Sequence, residues 1–232
     1  MVGNVWIPQR RRNPSGSRRF KNVGFPGRDL ERAQQDTALM LARTAESKDP
    51  SMGSHVERIY GYTLLLARAL GLGEHRALEI AEGSMLHDVG KLLIPKAILE
   101  KAGPLTPVEF EVIQRHPLEG VQILGTSPVF AIARDIIHWH HERWDGSGYP
   151  DGLQGKDIPL PAAIVAVADV YDALTSRRSY KDPWNPEAAI AELQAMSGVL
   201  LYPEGVDVFS GLWREGALAE AACSGEIAEQ VH

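Results

Sequence analysis

Apolar and polar positions along this chain recur mostly at helical spacing. Leu30, Ala33, Leu41 and Ala45 line one face of a predicted helix over residues 29–47, with Asp29 as its cap, before SKDPSMG interrupts. Val56, Ile59, Tyr60, Leu64 and Leu66 repeat the pattern over residues 54–70, and Gly71 and Gly73 stop it. A third period, residues 74–87, delivers His87 and Asp88 at its C-terminal end. A connector around Pro95 follows. Thr106-Pro107-Val108-Glu109 then reads as a capping box with proline in the first turn. The helix it opens runs to His116, where Pro117 must break or kink it, and a short piece continues to Leu124.

Residues 128–142 form a further predicted helix ending in His140 and His141. Residues 143–161, with Gly146, Gly148, Gly152 and Gly155 among them, read as a loop. Residues 162–175 are apolar nearly all round and Ala-rich, which predicts a buried helix, although the valines and isoleucine keep a strand open. Asn185-Pro186 starts another helix, and a last one spans residues 203–213. With little strand signal and no repeat, the predicted fold class is all-α: a helical bundle with its site between facing helices.

Composition adds limits. At 232 residues the chain fits one domain, and 44% hydrophobic with 23% charged residues is ordinary for a globular protein. The lone Cys223 excludes an intrachain disulfide and a cysteine-built zinc site, and suits a reducing cytoplasm. Net charge is -6, yet residues 1–28 hold seven Lys/Arg and no Asp or Glu. They read as a basic, disordered arm without the apolar stretch of a signal peptide, followed by a domain over residues 29–213 and a tail over 214–232. No run is long enough to span a membrane, and the acidic remainder argues against nucleic-acid binding by the fold.

The candidate chemistry is spread along the helices. HHERWDGSGYP begins with His140 and His141; His87 and Asp88 sit in LHDVGK; His55 and His116 stand alone; and Asp169 interrupts AAIVAVADVYDAL. Taken singly, His55 or His116 is more often a packed histidine than a ligand. A carboxylate in an apolar helix such as Asp169 is costly unless paired or metal-bound. Together, imidazoles and carboxylates once per helix suit helices converging on a two-metal centre. Iron or manganese fits such a set, with zinc, cobalt and nickel left open. Two close metals point to phosphoester hydrolysis, in which a water between them attacks phosphorus. Lys91, three residues after Asp88, is placed to help the leaving oxygen. His75, His138 and His232 have no such context and read as structural or solvated.

LHDVGKLLIPKAIL, HPLEGVQIL, HHERWDGSGYPDGLQGKDIP and AVADVYDALTSRRSYK closely resemble the HD-GYP domain, a branch of the HD superfamily of metal-dependent phosphohydrolases, over residues 39–212. The resemblance implies an all-helical fold and hydrolysis of cyclic di-GMP to pGpG, and further to GMP in many members, with cyclic GMP-AMP as the substrate of others. It implies one metal on His55, His87, Asp88 and Asp169 and another on Asp88, His116, His140 and His141, with Asp88 bridging. Lys91 matches a lysine beside the scissile phosphate, and Tyr149, Arg178 and Lys181 match positions that hold the nucleotide. Asp172 matches a residue expected to orient a ligand or a basic group. Trinuclear members carry a glutamate where this chain has Ser51, so two metals are expected. Met52 stands in place of a threonine, and Ala163 in place of an arginine, which removes an ion pair. The resemblance also suggests a sensor or diguanylate cyclase as protein partner, and a homodimer. A non-catalytic binding module for cyclic di-GMP or a protein is the rival reading.

Overall fold

The computed structural model describes residues 27–46, 55–101, 103–176 and 182–219. The described residues are helical, without strands; two isolated bridges, Asp145 with Gln154 and Ser197 with Leu201, are the β pairing among them. The helices are α1 (Gly27–Glu46), α2 (His55–Ala69), α3 (Glu74–Ser84), α4 (Lys96–Leu99), α5 (Pro107–Ile113), α6 (His116–Leu124), α7 (Ala131–Trp139), α8 (Leu160–Thr175), α9 (Pro186–Met196) and α10 (Pro203–Arg214). Short 3-10 turns cover Val89–Leu93, Pro128–Phe130 and Gly155–Asp157. No helix among the described residues is long and apolar enough to cross a membrane.

The fold is built round α8. Every side chain from Pro161 to Ala168 is buried, as an apolar circumference requires of a helix surrounded by others. α2, α7, α9 and α10 pack on it, and the small alanines let them approach. The strand alternative for this stretch is therefore discarded: helix neighbours on several sides cover it better than one sheet face would. In the same core Tyr62, Tyr171 and Phe209 meet edge to face, with ring centroids 5.1–6.0 Å apart. A second cluster joins Ala38 and Ala42 of α1 to Leu86, Val89, Leu124, Ala133 and Ile137.

Several boundaries differ from the sequence reading, each for a physical reason. α1 begins at Gly27, so Asp29 lies in its first turn, and its buried face is Ala38, Ala42 and Ala45 while Ala33 is exposed. The third helix stops at Ser84, and His87 and Asp88 fall in the turn beyond it. There the His87 ring bonds the Ser84 carbonyl, an end-of-helix acceptor with no partner in its own helix. The helix is broken ahead of Pro117, as the proline requires, but it ends at Ile113 and not at His116; Pro117 sits in the first turn of α6, where a missing N–H costs nothing. The capping box at Thr106 and Glu109 is present in full.

One close approach positions the site. A Cβ at Gly90 would lie 1.9 Å from the His116 carbonyl oxygen and 2.7 Å from the Gly120 nitrogen. The 3-10 turn and α6 therefore touch backbone to backbone, and only glycine permits it. This contact sets Asp88 beside His116.

Candidate metal centre

Five pieces of the chain supply the centre. His55 opens α2, His87 and Asp88 occupy the turn after α3, His116 opens α6, His140 and His141 follow α7, and Asp169 lies partly exposed on α8. His55, His87, His116 and His140 are buried. Two groups of these side chains have donor atoms close enough for one metal ion each: His55, His87 and Asp88 in the first, and Asp88, His116, His140 and His141 in the second. Asp88 belongs to both. Its backbone, at φ -103° and ψ 9°, occupies the sparsely used bridge region. Asp169 stands at the edge of the first group, its Oδ1 3.8 Å from both His55 Nε2 and His87 Nε2.

The hydrogen bonds settle which nitrogen of each buried ring faces inward. Nδ1 of His87 lies 2.8 Å from the Ser84 carbonyl, Nδ1 of His116 2.8 Å from that of Ile113, and Nδ1 of His140 3.1 Å from those of Ile136 and Ile137. A carbonyl only accepts, so each Nδ1 carries the hydrogen. His55 Nδ1 likewise donates to Asp172 at 2.6 Å. All four Nε2 atoms are thereby turned toward the centre, the orientation that metal-binding histidines take from such partners.

Among His116, His140 and Asp88 of the second group, no hydrogen lies between the inward atoms. Burial lowers His116 to about 4 and His141 to about 3 despite Asp88, and drives His140 well below its usual value, so these rings are neutral at neutral pH. His116 Nε2 and His140 Nε2 stand 3.5 Å apart, and 3.3 and 3.9 Å from Asp88 Oδ1. That oxygen is buried and has no hydrogen-bond donor. Three acceptors facing one another in a buried site fit a cation.

The first group is more acidic. Burial would lower His87, but Asp88 and Asp169 raise it to about 9. The field there calls for one positive charge at Nε2, which a proton or a metal ion supplies. For Asp88, burial opposes ionisation, yet Lys91, His87 and His116 hold its carboxyl well below the usual range. Lys91 Nζ contacts Asp88 Oδ2 directly.

The mouth is formed by the glycine-rich loop. Tyr149 stacks on His141, with ring centroids 4.8 Å and planes 25° apart, and its N–H bonds the His141 carbonyl. Arg178, Lys181, Ser51 and Met52 lie outside the described residues. Ala163 is buried with Ile158 and Ala162 in an apolar cluster against Trp139, Trp144, Leu153 and Tyr202.

Two residues had no role assigned from the sequence. Arg58 donates from Nε and Nη2 to both oxygens of Asp172 and from Nη2 to Ser176 Oγ, so Asp172 is gripped between an arginine and His55. Burial opposes ionisation of Asp172, but these partners lower it to about 2. Arg58 follows His55 by one helical turn, which is the legible signal. Glu142 is buried, and its carboxylate accepts the backbone N–H groups of Asp151, Gly152 and Leu153 at 2.7–3.1 Å. It pins the far side of the loop that carries Tyr149.

The sequence matches the HD domain family over residues 39–204. Over 198 residues it is 43% identical to the 3'3'-cGAMP-specific phosphodiesterase 2 of Vibrio cholerae, covering 84% of this chain and 38% of that protein. Over 197 residues it is 43% identical to the cyclic di-GMP phosphodiesterase response regulator RpfG of Xanthomonas campestris pv. campestris, covering 84% and 51%. A cyclic di-GMP phosphodiesterase of Thermotoga maritima is 43% identical over 178 residues, covering 76% and 48%. The chain thus spans about half or less of the length of these curated relatives. Among solved structures, Bd1817 of Bdellovibrio bacteriovorus, a HDG"Y"P protein, shares the fold with a TM-score of 0.54 at 19% identity, over 84% of this chain and 74% of that one.

Proposed function

The chain belongs to the HD domain family, and we propose that it is a two-metal phosphodiesterase that opens cyclic di-GMP to the linear dinucleotide pGpG. The observation that carries this reading is the shared carboxylate: Asp88 joins two groups of inward-facing acceptors, each close enough to hold one ion. Relatives at 43% identity named as cyclic di-GMP phosphodiesterases support the substrate class.

His55, His87, Asp88 and Asp169 would hold one ion, and Asp88, His116, His140 and His141 the other. Imidazole and carboxylate donors without thiolate favour iron or manganese. Bound there, two divalent ions acidify water and offset charge developing on a phosphate. The side chains do the rest. Asp172 and the helix-end carbonyls hold the imidazoles in the ligating tautomer. As the oxygen of water bonds to phosphorus and the P–O3′ bond breaks, the Lys91 ammonium protonates the departing O3′ and leaves a 5′-phosphate on the linear product. Tyr149, set on His141, packs against the nucleotide, and Arg178 and Lys181 pair with its phosphates.

A second reading keeps this chemistry and changes one base. The Vibrio cholerae relative named as 3'3'-cGAMP-specific favours it, and ring stacking by Tyr149 does not tell guanine from adenine. The test is product analysis on both cyclic dinucleotides with manganese- or iron-loaded protein. pGpG from cyclic di-GMP, absent with Asp88→Asn, is expected. Tight binding of the nucleotide without cleavage would replace the enzyme by a binding module.

A further inference from the structure

α5 is secured at its N-terminus. Thr106 and Glu109 cap it, and Lys101 pairs with Glu109. None of its residues is buried, and it presents Val108 at 69% and Phe110 at 47% exposure. Its neighbour is informative. The Phe110 ring lies 6.4 Å from that of Tyr149, at 79° between planes. Tyr149 in turn stacks on His141, a member of the second metal-binding group. Two nearly perpendicular rings form the sides of a corner, one ring removed from the metal centre. A nucleotide's base lies one sugar away from its phosphate, so a phosphodiester at the metals would bring a base to this corner.

We propose that Phe110 and Tyr149 form the binding corner for one purine base of the cyclic dinucleotide, the base stacking on one ring and presenting its edge to the other. This deepens the phosphodiesterase reading and rests on it for the identity of the ligand. Phe110 acts in affinity and takes no part in bond breaking.

The experiment is titration of full-length, manganese-loaded protein with the bis-phosphorothioate analogue of cyclic di-GMP, which resists hydrolysis. Wild type, Phe110→Ala and Phe110→Trp are compared, with metal content measured for each and turnover of cyclic di-GMP recorded alongside. Phe110→Ala should weaken binding on the order of tenfold, the scale of one lost stacking contact, with metal content unchanged. Phe110→Trp should retain wild-type affinity. Equal affinity for Phe110→Ala and wild type overturns the proposal, as does wild type that does not bind the analogue. If wild type cleaves cyclic di-GMP while Phe110→Ala binds normally, the corner fails and the phosphodiesterase stands. If wild type binds without cleaving and Phe110→Ala binds weakly, the reverse holds.

Discussion

The two halves of the candidate metal centre turn the same nitrogen of His55, His87, His116 and His140 inward but are tuned in opposite ways. Around His116, His140 and His141, burial keeps the rings neutral, and backbone carbonyls at helix ends orient the first two. Around His55 and His87, carboxylates dominate: Asp88 and Asp169 face the rings, and Asp172 orients His55 under the grip of Arg58. One half is prepared by desolvation and the other by charge. The difference teaches that one carboxylate, Asp88, can stand between two groups whose surroundings answer differently to mutation and to pH.

The most severe way to break the comparison is to remove a ligand from one half. His140→Ala should leave one metal per chain and bring turnover to the background of metal-free protein, read by elemental analysis beside product formation. Gly90→Ala attacks both halves through the backbone. Its methyl group would meet the His116 carbonyl at 1.9 Å, so α6 must move away, at a cost of about 1–3 kcal/mol or more in stability. Urea denaturation measures that cost, and metal content should fall with it.

Arg58→Gln sharpens the comparison. It should weaken the first metal by roughly 10–100-fold through Asp172 and His55, the usual effect of removing an outer partner. The second metal should stay at wild-type affinity, because the rings of His116 and His140 bond backbone carbonyls that no side-chain exchange removes. Competition with a chelator resolves the two affinities.

The halves should also differ in pH response. His87 is raised to about 9, so at pH 7 it is protonated without metal, and a metal ion must displace that proton. First-site affinity should therefore climb as pH rises toward about 9 and then level off, with about one proton released per metal at pH 7. The second site, whose His116 titrates at about 4, should show no such dependence between pH 5 and 8. Calorimetry in buffers of different ionisation enthalpy counts the protons. The smallest effect is expected from Thr106→Ala, which removes the cap of α5 at about 1 kcal/mol and should leave metal content unchanged.

Residue types carried much of this. Histidines and aspartates once per helix announced a shared centre, and an apolar circumference announced the buried α8. What stayed hidden depends on contacts between distant segments. The end of α3 at Ser84 is sealed by the His87 ring, and the place of Asp88 depends on the meeting of Gly90 with His116, neither visible as local periodicity. Glu142 could be read as a charge beside the histidines, but its partners are backbone N–H groups of a turn, and sequence does not display those. Arg58 was within reach, one turn beyond His55, and needed Asp172 from α8 to give it meaning.

The central claim is that one carboxylate serves both halves, and metal content of Asp88→Ala tests it most directly. Wild type should carry two iron or manganese ions per chain, and Asp88→Ala should lose both while remaining folded. An Asp88→Ala protein that holds two metals at wild-type affinity would contradict the account.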